Sequence, residues 1–136
     1  MVKMKKLSAL LLLTASSAAA GSTLAYHVAM LEGDIADVAV QAAVYNVVPS
    51  TESFDKAHLA IEKAKANLQP HLKQALGSAH GKADLETAIK DYYLAALAYL
   101  DVALPPHVGE QAMHSKEEHE LKMKENALEM EVQLNK

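Results

Sequence analysis

Apolar residues recur three and four positions apart along most of this chain, and the alternation that marks a β-strand is scarce. That spacing gathers side chains on one helical face, so each segment must bury its stripe against another helix. In the first segment, about His27 to Val47, the stripe is Val28, Leu31, Ile35, Val38, Ala42 and Tyr45. Val40, Val44 and Val47 lie off that face, and Asp34, Asp37 and Gln41 form the one clear polar strip. So narrow a wet face marks this as the most buried helix. Gly33 weakens it by about 1 kcal/mol relative to Ala.

Pro49-Ser50-Thr51 ends the first helix, and Ser50 or Ser53 caps the second by accepting a bond from a free backbone N–H. The second helix runs to about Leu76, with Phe54, Ala57, Ile61, Ala64, Leu68, Leu72 and Ala75 in one stripe. Pro70 sits inside it and predicts a kink or break near Leu68–Pro70, because proline removes a backbone bond and crowds the preceding turn. A turn-rich loop, Gly77 to Lys82, leads to a third helix, about Ala83 to Ala103, stopped by Pro105-Pro106. The second half of that helix is apolar on all sides except Asp101, which reads as a buried core helix or an exposed contact patch. Tyr92 and Tyr99 share a face and belong to the core, whereas Tyr93 points outward. Ile35, Ile61, Leu68, Ile89, Tyr92 and Leu100 are expected to be buried together.

The tail, 107–136, is dense in charge and reads as helix from Glu117 onward. Met123, Ala127, Met130 and Leu134 share one face, and Leu121, Leu128 and Val132 the opposite one. The two stripes cannot both rest on one bundle. Met123, Met130, Leu134, Leu121, Leu128 and Val132 are therefore the candidate interaction surface, helped by the adaptable thioethers. The expected fold is all-α: a small up-down bundle of three core helices, 26–106, with the charged C-terminal helix as an arm or a fourth member.

The first 25 residues differ in kind. Lys3, Lys5 and Lys6 precede the apolar run Leu7–Leu13 and then a small-residue stretch to Ala25. A basic head, a short apolar middle and a small-residue exit form the pattern of a secretory signal peptide. Cleavage is expected after Ala25 or Ala20, with Gly21-Ser22 breaking the signal helix ahead of the later exit. The apolar run falls well short of the roughly 20 residues needed to cross a bilayer, so no stable membrane span is expected after cleavage. The expected location is periplasmic or secreted.

Loss of the head leaves ten lysines against 17 acidic residues, a net charge of −7. A chain this acidic, with no arginine, repels phosphate backbones and lacks the planar fork that grips them, so nucleic acid is not an expected partner. The absence of cysteine removes thiol catalysis, thiolate metal sites and covalent haem attachment. No Gly-x-Ser-x-Gly elbow, His-Glu-x-x-His motif or glycine-rich phosphate loop is present, so no enzymatic activity is expected.

Seven histidines are the unusual reactive inventory. The best cluster is in the tail, where His107, Glu110, His114 and Glu118 recur about one helical turn apart, beside His119 and Met123. Imidazole with carboxylate suits Zn, and imidazole with thioether suits Cu. One helix face presents two ligands well and three only with bending, and Pro105-Pro106 keeps His107 out of regular helix. The leading expectation is an exported, non-enzymatic helical protein that acts by protein–protein contact or self-association, without a cofactor. The alternative is a periplasmic metal-binding or metal-buffering protein holding Cu or Zn through His107, His114, Glu118 and His119.

Overall fold

The computed structural model describes residues 16–136, which form four helices and no strand. They are α1 (Ser16–Val47), α2 (Thr51–Ser78), α3 (Ala83–Val102) and α4 (Ser115–Leu134). α1 packs chiefly on α2 and α3 chiefly on α4, so the bundle is two helical hairpins docked mainly through α2 and α3. The predicted stripes face inward: Ile35, Ile61, Leu68, Ile89, Tyr92 and Leu100 all lie in one buried cluster. Burial of each large side chain there contributes roughly 1.5–3 kcal/mol.

The start of α2 carries the predicted cap in a reciprocal form. Ser50 Oγ accepts the Ser53 N–H at 3.0 Å, and Ser53 Oγ accepts the Ser50 N–H at 3.0 Å. Ser53 Oγ also donates to the Val48 carbonyl at 2.8 Å, which is how a serine is accommodated in the core. The arrangement is a capping box with serine in place of the usual Glu or Gln.

Several expectations need correction. α2 passes through Pro70 without a break. The ring sits on the exposed side, and Leu68 and Ala75, buried before and after it, hold the helix line. α1 begins well before His27 and runs unbroken across Gly21-Ser22 and Ala25. Leu24 is only 2% exposed and belongs to the core cluster. The lysine head and the Leu7–Leu13 run of the expected signal peptide lie outside the described residues. None of the described helices is long and apolar enough to cross a membrane.

α1 is also not wrapped on all sides. Its valines off the main stripe, Val40, Val44 and Val47, are 57%, 45% and 80% exposed. The tail is likewise more than an arm: Leu128 is fully buried, and Leu121 and Val132 join the same core, so three helices do not close the core without α4. The second half of α3 is the buried helix of the two readings, with Tyr92, Ala95, Ala96, Tyr99 and Leu100 inside and Leu94 outside. Tyr93 is half-buried, its hydroxyl donating to Gln69 Oε1 at 2.9 Å. The α3–α4 connection is pinned at Gly109, whose φ of 94° suits glycine alone and whose N–H donates to Tyr45 Oη at 2.6 Å.

Candidate functional site

Two features of α1 stand out, and they lie on different sides of the helix. The first is its outer face. At 100° per residue, Tyr26, Ala29, Met30, Gly33, Val40 and Val44 fall within one solvent-facing sector, flanked by Ala36, Ala43 and Val47. All are exposed. Asp37 is the one charged residue among them. A strip about 30 Å long with a single charge is an uncommon outer face for a helix, since water normally meets many charged side chains there.

The second feature is a crevice of about 620 Å³ where α1 parts from the α3–α4 hairpin. Its buried wall is Ile35, Tyr92, Tyr99 and Leu121. Its rim carries Glu118, His119, Lys122 and Glu125 from α4, with Ala36 and Ala39 from α1. Glu32 lines the same space, and its Oε2 is shut from water with no hydrogen-bond partner.

The charge around Glu32 is unfavourable. One carboxylate oxygen from each of Glu32, Glu125 and Glu129 lies within 4.8 Å of the others. Burial first, then the charges of Glu129 and Glu125, push the Glu32 carboxyl up to about 8. Lys122 offsets part of this, with its Nζ 3.9 Å from Glu125 Oε1. The Tyr92 phenol is also pushed up, by burial and then by Glu32, Glu125, Asp34 and Glu129. Burial, followed by Glu118, does the same to Tyr99. Both phenols keep their protons at neutral pH and present O–H donors with aromatic faces.

The opposite flank of α1 is paired. Asp34 Oδ2 accepts from His71 Nδ1 of α2 at 2.7 Å. Burial pushes the Asp34 carboxyl up, and the hydrogen bond and charge of His71 pull it back. Two helical turns away, His27 Nδ1 lies 2.8 Å from Ser78 Oγ. Burial lowers the His27 imidazole, a backbone hydrogen bond at Gln74 opposes this, and the nearby His71 charge lowers it further.

The tail residues chosen from sequence separate into different environments. His107 is exposed in the α3–α4 connection. His114 packs edge-on against Tyr99, with ring centroids 5.9 Å apart. Its Nδ1 is 3.8 Å from Glu118 Oε1, too far for a hydrogen bond, and has no partner. Glu118 and His119 reach the crevice rim. Among the described residues, the one triple of gathered ligand atoms is Glu32, Glu125 and Glu129, which includes no histidine. Of the six tail residues chosen for contact, Leu121, Leu128 and Val132 are buried against the bundle, and Met123, Met130 and Leu134 remain exposed.

Glu32 was not singled out from the sequence, although a signal exists. It flanks the buried stripe between Leu31 and Ile35, and Glu125 and Glu129 form a like-charged pair four apart beside Leu121 and Leu128. Their convergence joins residues about ninety positions apart, which periodicity does not report. The chain matches no family model, and neither curated proteins nor solved structures offer a similar molecule.

Proposed function

We propose that this protein is an exported, non-enzymatic helical bundle that works by contact, and that its first contact is with a second copy of itself through the outer face of α1. The observation that carries this reading is the strip from Tyr26 to Val47, apolar or small but for Asp37, on an otherwise acidic molecule. A net charge of −4 for the whole chain, and −7 once its lysine head is lost, keeps copies apart everywhere except along such a strip. The strip is also self-complementary. Antiparallel pairing about a two-fold axis sets Ala29 opposite Val44, Gly33 opposite Val40 and Met30 opposite Ala43, small side chains against larger ones. The exposed methionines of α4, Met123 and Met130, offer a separate adaptable surface for a different protein.

The basic head and apolar run support export. The burial of Leu24 favours processing after Ala20 over processing after Ala25, because the later cut removes a core side chain. Mass spectrometry of the extracytoplasmic protein is expected to give Gly21 as the first residue.

Sedimentation equilibrium tests the contact. The wild-type protein is expected to dimerise, and Val40→Glu with Val44→Glu to be monomeric at unchanged helicity, since both side chains point to solvent. Asp37→Ala is expected to tighten the dimer several-fold by removing like charges that meet beside the axis. A concentration-independent monomer in the wild type, or a double variant that associates as the wild type does, refutes the proposal.

A further inference from the structure

We infer that the crevice between α1 and the α3–α4 hairpin is a binding site for a small organic cation, an ammonium group carried on an aromatic or short apolar body. This goes beyond the self-contact of α1, which uses the adjoining outer face of that helix and meets the crevice only at Ala36. The crevice volume, about 620 Å³, falls in the range of roughly 300–1,000 Å³ typical of small-molecule sites. Its composition has two parts, as such sites do. Ile35, Leu121, Ala36 and Ala39 with the rings of Tyr92 and Tyr99 make an apolar lining for the body of a ligand.

The polar part of the lining selects the sign of the charge. Glu32, Glu118 and Glu125 line the crevice against Lys122 as the one permanent cation, so the wall is complementary to a positive ligand. Glu32 Oε2 is buried with no donor, and a buried acceptor left unmatched costs roughly 1–3 kcal/mol. An ammonium brings three donors on one atom. Placed between Glu32 and Glu125, whose oxygens lie within 4.8 Å of each other, it matches both carboxylates at once. Tyr rings beside it add the attraction of a cation for a π-face.

The same geometry makes binding depend on pH. The groups that face Glu32 are Tyr92 on α3, and Glu125 and Glu129 on α4, with Lys122 beside Glu125; Tyr99, Glu118 and His119 complete the crevice, and Asp34 lies on the other flank of α1, paired with His71. Near neutral pH the Glu32 carboxyl holds a proton, which a bound cation displaces. Binding therefore releases a proton and tightens as the pH rises from 6.5 to 8.5.

The test uses the processed, full-length exported protein with 2-phenylethylamine as probe, at several pH values, by calorimetry and thermal shift. Phenylacetate and 2-phenylethanol serve as the anionic and neutral analogues. Saturable binding of the amine is expected, with proton release seen in buffers of different ionisation enthalpy and with affinity at least tenfold above either analogue. Glu32→Gln is expected to lose at least tenfold in amine affinity while its own melting temperature holds or rises. Ala39→Phe fills the crevice from an exposed position and is expected to abolish binding at unchanged helicity. Equal affinity for the amine and 2-phenylethanol, no saturable amine binding at millimolar concentration, or full affinity in both variants overturns the inference. Displacement of the amine by Mg²⁺ or Zn²⁺ at a stoichiometric site also overturns it, since the carboxylates then serve an inorganic ion.

Discussion

The two flanks of α1 carry one buried carboxylate each, two residues apart, and treat them oppositely. Asp34 turns to α2 and meets His71 at 2.7 Å. Glu32 turns to α4 and meets two further carboxylates, with one oxygen left without any donor. On the first flank the polar contact reinforces extensive packing between α1 and α2. On the second, packing is slight, a crevice remains, and burial with the two acidic neighbours keeps the Glu32 carboxyl protonated near neutral pH. A buried polar group strengthens a seam only when its partner comes with it. Without one, the seam stays open to whatever brings the missing donor.

The severest way to break this comparison is to remove α4. Deleting Ser115–Lys136 relieves Glu32 of its acidic neighbours but strips Leu121, Leu128 and Val132 from the core. Loss of cooperative unfolding is expected in thermal melts followed by circular dichroism. A sharp, native-like transition in the truncated protein instead shows that α4 is not needed to close the core.

Next in size is the paired flank. Asp34→Ala removes a charge-assisted hydrogen bond and leaves His71 half-buried without its acceptor, a loss of about 1.5–3 kcal/mol in urea unfolding at pH 7. A change under about 0.5 kcal/mol places the adhesion of α1 to α2 in its apolar stripe alone.

The smallest effect has the opposite sign. Because the Glu32 carboxyl titrates near 8 in the folded chain and near 4.5 unfolded, the folded state holds the extra proton between those values. Stability is then highest below about pH 4.5 as far as this group is concerned, falls as the pH rises, and is lowest above 8. Glu32→Gln removes that dependence. With partial solvent access discounted, the gain is expected to be about 1 kcal/mol at pH 8.5 and nearly nothing at pH 5. A pH-independent difference between the two proteins sharpens the comparison the other way, toward Glu32 as a neutral packing residue.

Much of the fold was legible from spacing alone. Ile35, Ile61, Leu68, Ile89, Tyr92 and Leu100 face one core because a 3.6-residue period fixes which side chains share a side. The cap at Ser50 was legible because hydroxyl chemistry after a proline is local. What escaped is what depends on a second element. Val40, Val44 and Val47 lie off the main stripe, and hydrophobicity alone does not say whether another helix covers them. Pro70 breaks a lone helix but not one held along a neighbour. The site was legible only at its edges: Glu118 and His119 were singled out for metal and stand on the rim of the crevice, while Glu32 entered through a long-range encounter with α4.

The arrangement as two hairpins also sets an order of events in time. Helices adjacent in sequence make most of the contacts, so each hairpin closes a short loop and can form early. The hydrogen bond from Gly109 to Tyr45 spans 64 positions and belongs to the late docking of one finished hairpin on the other. The seam between α1 and α4, last to be gathered and least densely packed, is then the first to part in the native protein. Amide exchange from the turns of α4 that carry Glu125 and Glu129 should outpace that from the middle of α2, so that the chain breathes where its crevice lies.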